Sequence, residues 1–201
     1  MAITSYAGLL SAIARWAGQS SDPAFPDAVA DAVTLVEARI NREVRAPEMM
    51  VRATAAVSSE FEALPDDMLK LLAVTLIDGD QEYPLRQIAA DRHAAYRAQA
   101  RSYSRPHWFA VHGLQVRFLP APGSAMNMRV LYFGKVQPLL NATSCTAMLA
   151  AHPDLYLFGA LSYLGEYIED GERLARFEQR FLAAAAGANQ QMVTRDGTMA
   201  A

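Results

Sequence analysis

The chain has 201 residues, of which 52% are hydrophobic and 19% charged, with a formal net charge of −3; that is enough for one sizeable core with room for a subdomain. An acidic balance excludes a chain-wide basic field for gripping phosphates, and a single cysteine, Cys145, excludes both an intrachain disulfide and a Cys-based zinc site. Charge below the roughly 25% of an average domain points either to surface hidden against copies of the same chain or to a compact Ala-rich protein.

Tyr6, Leu9, Leu10, Ile13, Ala14 and Ala17 trace one face of a helix over residues 4–17, which Thr4 or Ser5 can cap. Residues 19–26 (QSSDPAFP) read as a loop, because Pro23 and Pro26 disfavour a helix interior. A second helix is expected over residues 27–45, with Val29, Val33, Val36, Ala38 and Ile40 apolar. Asp27 and Asp31 suit its start, Arg39, Arg42 and Arg45 suit its end, and Pro47 stops it.

From residue 49 to 61 the small and β-branched residues read as strand, and Leu64-Pro65-Asp66-Asp67 as a turn. Helix and strand compete over residues 68–77 (MLKLLAVTLI), where Val74, Thr75 and Ile77 favour strand before the turn Asp78-Gly79-Asp80. Residues 84–101 look helical. Residues 108–119 alternate around His112-Gly113, and residues 126–133 alternate again after Pro120 to Gly123, which predicts an antiparallel hairpin across that Pro/Gly turn.

Helix returns after Pro138, first briefly over residues 143–150 and then over residues 155–169. In the longer stretch Leu157, Leu161, Leu164 and Ile168 form a stripe with Tyr156, Tyr163 and Tyr167 beside it. Residues 172–186 continue as helix, while residues 188–201 carry almost no large apolar side chain and read as an extended tail. The expected fold is α+β: a helical bundle from the N- and C-terminal helices, an inserted antiparallel β region and a flexible C-terminal tail. Its divisions fall at residues 1–48, 49–140, 141–187 and 188–201.

Nothing in the pattern carries catalysis. His93, His107, His112 and His152 lack the i, i+4 spacing of a zinc helix. The pairs Asp66/Asp67, Asp78/Asp80 and Glu169/Asp170 sit at turns, where Asp bonds nearby amides. No Gly-rich phosphate loop or GxSxG elbow occurs. No run reaches the ~18–20 uncharged apolar residues of a membrane span, and no signal peptide opens the chain, so the cytoplasm is the expected site of synthesis. A cluster of Arg92, Arg97, Arg101 and Arg105 interleaved with Tyr96, Tyr103 and Trp108 is either a nucleic-acid contact or a solvated face.

Two segments resemble a known family. Residues 152–170 (HPDLYLFGALSYLGEYIED) and 172–182 (ERLARFEQRFL) are similar to the C-terminal helical signature of podovirus-type head-to-tail adaptors, also called tail tubular protein A, gatekeeper or head completion proteins. Leu64-Pro65-Asp66-Asp67 matches the family's LP.D turn, residues 109–119 and 131–139 its strand stretch, and residues 33–45 (VTLVEARINREVR) its early helix. Phe177 stands where the family often has Trp, and Phe133 where it often has Tyr; residues 92–105 match nothing in its pattern.

The resemblance implies a non-enzymatic subunit, without cofactor or metal, at the head–tail junction of a virion. It implies a homo-oligomeric, dodecameric ring under the portal protein that meets a tail nozzle or tail tube protein and passes double-stranded DNA as cargo. Portal docking is then expected at Gln190, Met192, Val193 and Arg195, and subunit contacts at Tyr156, Tyr163, Tyr167, Arg97 and Arg101. Two other readings remain from the residues: a virion-associated hydrolase using Glu166 and Glu169, and a small DNA-binding assembly factor using the arginine cluster.

Overall fold

The computed structural model describes residues 3–18, 22–100, 103–141 and 145–198. The chain divides into two compact units. One is formed by residues 1–49 and 136–201, the other by residues 50–135.

The first unit is helical and built from both ends of the sequence. Helix α1 (Tyr6–Ala17) starts at Ser5, whose Oγ accepts from the Gly8 N–H at 3.1 Å, and ends at Gly18 with φ +106°. That left-handed conformation lets the Gly18 N–H return to the Ala14 carbonyl, and glycine adopts it without a Cβ penalty. Helix α2 (Phe25–Glu43) begins with Pro26 in its first turn and buries Val29, Ala32, Val33, Val36 and Ile40, a stripe at helical spacing. Helix α4 (Ala147–Ala151) is capped by Thr146, whose hydroxyl accepts from the Leu149 N–H. It is shorter than expected and starts later; Thr143 and Ser144 lie outside the described residues.

Helix α5 (Pro153–Tyr163) is buried on nearly every side through Leu155, Tyr156, Leu157, Gly159, Ala160 and Leu161, as befits the middle of a bundle. It packs against α1, α2 and α6 (Gly171–Thr198). The single amphipathic helix expected over residues 155–169 therefore stops at Tyr163, and Leu164 and Ile168 are buried in the turn that follows. Arg39 on α2 ties the bundle electrostatically. Its guanidinium donates to both carboxylate oxygens of Glu178 on α6 at 2.8 and 2.6 Å and lies 4.0 Å from the Phe181 ring centroid. That pairing holds the Glu178 carboxyl below its usual range.

Helix α6 corrects one expectation: the helix runs on through Thr198, so residues 188–198 are not extended. Ala188 and Met192 are buried, continuing the inward stripe of Phe177, Phe181 and Ala185. Asn189 closes the end of α2, accepting from the Arg45 N–H at 2.6 Å and donating to the Glu43 carbonyl at 3.1 Å.

The second unit holds two four-stranded sheets. One has the order β1 (Met50–Val57), β8 (Met126–Gly134), β3 (Met68–Asp78), β4 (Gln81–Pro84). The other has the order β2 (Phe61–Ala63), β7 (Gln115–Leu119), β6 (Trp108–His112), β5 (Arg86–Gln87). Val57, Val74, Leu76, Met128 and Val130 of the first sheet share one core with Phe109, Val116 and Phe118 of the second. Residues 68–77 are strand throughout, paired antiparallel to β8 and turning into β4 at Gly79, φ +60°. His112 and Gln115 pair across the tight turn at Gly113.

Two further expectations change here. The Pro/Gly stretch 120–123 is not a hairpin turn: β7 pairs with β6 and β2, β8 with β1 and β3, so the chain changes sheets there. In the 84–101 region a 3-10 turn at Ala90–Arg92 leads into α3 (His93–Ala100), and helix starts no earlier because residues 86–87 pair in parallel with β6. The Leu64–Asp67 turn is anchored from within: the Tyr132 hydroxyl donates to Asp67 Oδ1 at 3.0 Å, and burial with that carboxylate pushes the phenol up to about 12.

Candidate functional site

In the helical unit, the buried stripe of α2 leaves Leu35 out of phase and half exposed. Leu35, with Ala28, Asp31 and Ala32 on the same helix, forms one wall of a cleft of about 520 Å³. The end of α5 and the turn after it, residues 162–167, form the other wall, where Tyr163 is 39% exposed. Asp31 and Glu166 place two exposed carboxylates on this cleft. Neither is ion-paired among the described residues.

Trp16 lies on the buried stripe of α1, three residues after Ile13 and four after Ala12, yet stays 39% exposed. It packs edge-on against Phe158 and Phe177 at 5.8 and 6.3 Å between centroids. Arg180 lies over Phe158 and Trp16 at 5.1 and 5.9 Å, and Arg173 donates to the Trp16 carbonyl at 2.7 Å. Neither arginine has a carboxylate partner among the described residues. The two surfaces share no residue: the cleft lies between α2 and the end of α5, whereas Arg173 and Arg180 of α6 turn towards Trp16 of α1.

In the β unit, Tyr103, His107 and Trp108 meet at tilted and edge-on angles around a cleft of about 410 Å³ with Pro84 and Arg86, and Arg105 lies 3.6 Å from the Tyr83 ring centroid. Arg97 is exposed beside a second cleft with Glu60 and His93. Burial, then the nearby Arg117, drive the His93 imidazole below its usual value, and its Nε2 has no hydrogen-bond partner among the described residues. Of the expected arginine cluster, Arg101 lies outside the described residues, and Arg105 is taken up by Tyr83.

The other expected residues divide sharply. Tyr156 is fully buried and presents nothing to a neighbour, which corrects its assignment to a subunit contact: α5 is enclosed, so the tyrosine that looked lateral is core. Burial first and Glu37 second push its hydroxyl well above the usual range. Tyr167 is partly exposed and packs edge-on against Phe25 at 5.1 Å. Met192 is buried on α6 and is corrected from a docking residue to a packing one, whereas Gln190 is exposed. Val193 and Arg195 fall on α6, but their side chains lie outside the described residues.

His152, at the start of α5, is buried with Nε2 3.2 Å from Glu48 and serves packing. Among the described residues no group of three or more His, Cys, Asp and Glu side chains gathers as metal donors, and no helix is long and apolar enough to cross a membrane. The sequence pattern does not single out Trp16, Leu35, Arg173 or Arg180, and it gives Asp31 only a place at the start of a helix. For Leu35 the available signal was phase, since it lies off the buried stripe of α2, whereas Trp16 lies on the stripe of α1 and periodicity marks it only as core.

No curated protein matches the chain. A family model described as SU10 adaptor protein matches residues 4–201. That match spans both units and includes the helical and strand segments on which the adaptor resemblance rested. The protein belongs to the SU10 adaptor protein family, a family of phage head-to-tail adaptors.

Proposed function

We propose that copies of this chain form a dodecameric ring beneath the portal, join it to a tail nozzle or tail tube protein, and continue the DNA channel into the tail. The observation that carries this reading is the family match over residues 4–201. The helical unit supports it by exposing the apolar side chains of Leu35 and Tyr163 together along one cleft. A net charge of −3 suits a wall along which DNA passes without being gripped.

In this reading the subunit is structural and performs no reaction. Tyr163, Tyr167 and Arg97 belong to contacts between copies, together with Arg101. The end of α6, with Gln190, Val193 and Arg195, meets the portal, while the β unit faces the tail. Double-stranded DNA is passing cargo. The virion's head–tail junction is the working location, reached after synthesis in the host cytoplasm.

Antibody-gold labelling of purified virions tests this. Gold at the vertex between head and tail is expected, and gold confined to the capsid surface or the distal tail contradicts the adaptor role.

A further inference from the structure

We infer that the Asp31/Glu166 cleft of one copy receives the Trp16/Arg180 face of the next, and that this is the contact on which the ring closes. The inference rests on the ring reading and names the surfaces it uses. Three observations carry it.

First, the cleft couples exposed apolar surface, Leu35 and Tyr163, with two carboxylates that have no ion pair among the described residues. Second, the opposing face has the complementary make-up: an exposed indole at Trp16 flanked by Arg173 and Arg180, neither ion-paired to a carboxylate among the described residues. An aromatic anchor with arginine beside it is what the energetic centre of an interface favours, and charge complementarity sets its register and rejects wrong partners. Third, the two surfaces share no residue, the cleft lying on α2 and the end of α5 and the face on α1 and α6, so one copy can offer both. A contact between two unlike patches on the same chain is heterologous, and repeated by rotation it closes into a ring.

The alternative pairing, cleft against cleft, brings Asp31 and Glu166 of two copies together with no cation between them. Face against face does the same with Arg173 and Arg180. Like-charge juxtaposition disfavours both, so the acidic cleft is left with the basic face as its fitting occupant.

Charge reversal in two parts tests the contact. The cleft variant carries Asp31→Arg and Glu166→Arg; the face variant carries Arg173→Glu and Arg180→Glu. All four positions lie on the surface or partly so, and unchanged circular dichroism spectra and melting temperatures will show that each chain folds. Sedimentation velocity of the full-length wild type should show self-association that weakens as salt is raised. Each variant alone should associate about tenfold or more weakly. Mixed one to one, the two variants should associate again, because every cleft then meets a face of opposite sign in an alternating ring.

Wild-type association that both variants retain overturns this contact while leaving the ring reading intact. So does failure of the mixture to recover. A wild type that stays monomeric at the highest attainable concentration counts against this contact, and the ring reading is then decided by the stoichiometry of the chain on the portal. A chain carrying all four reversals restores the complementarity within one sequence and should associate as the mixture does.

Discussion

A methyl group on Gly159 would lie 2.0 Å from Cγ2 of Val36 and 2.9 Å from Cδ2 of Phe181. The glycine is where α2, α5 and α6 approach most tightly, and it is required for space, since it sits inside a regular helix. Neither neighbour can yield easily: Val36 is fully buried, and Phe181 is pinned beneath the Arg39 guanidinium. Gly159→Ala therefore overpacks the bundle and should lower stability by about 3 kcal/mol, measured by urea unfolding. A change below about 0.5 kcal/mol, within the ordinary range for a neutral surface substitution, would contradict the close approach.

The far end of α6 is part of the fold and should behave so. Asn189→Ala removes the side chain that closes α2 at Arg45 and Glu43, at a cost of about 1–2 kcal/mol. Removing residues 188–201 should cost more, because it also takes away buried Ala188 and Met192. Thermal melts of both variants check the order. A truncated chain as stable as the intact one would restore the view that this segment lies outside the core.

His93 gives the β unit a pH response with a definite sign. Its folded pKa is depressed by burial and by Arg117, relative to the ordinary 6.5. The unfolded chain therefore binds the proton more readily than the folded one. The stabilising effect is complete above about pH 6.5 and is lost as pH falls from there through the lower, folded value. Urea midpoints at pH 7.5 and 5.5 should differ more for wild type than for His93→Gln. Equal differences in the two proteins would remove His93 as the source.

Much of this fold is legible from residues alone, and the failures share a cause. Helices α1 and α2 follow from the periodicity of Leu9, Ile13, Val29, Val33 and Val36, because each buries a single face. Helix α5 was harder. Buried all round, it has no polar face to mark which residues point outward, so Tyr156 looked like a lateral residue and is core. Strand β3 is likewise a continuous apolar run, and the β8 partner that decides its conformation comes some fifty residues later in the chain. The same distance hides the sheet change after Leu119, since alternation shows strands but not which strands pair.

The cleft and the Trp16 face went unnoticed for a different reason. Leu35 lies off the buried stripe of α2, which is visible only once that stripe is fixed, while Trp16 lies on the stripe of α1, so periodicity marks it as core and hides its exposure. Ala188 and Met192 show the converse. Small and flexible side chains gave residues 188–198 the composition of a tail, yet at the spacing of Phe181, Ala185, Ala188 and Met192 they continue a buried stripe.

The central claim is that this chain joins the portal as a ring of defined size, and mass photometry of the purified protein, alone and with the portal of the same phage, tests it most directly. The account predicts a single new species whose added mass equals twelve copies of this chain per portal ring. A chain that leaves the portal mass unchanged at every salt concentration, or adds to it in graded and unsaturable amounts, would contradict the adaptor ring.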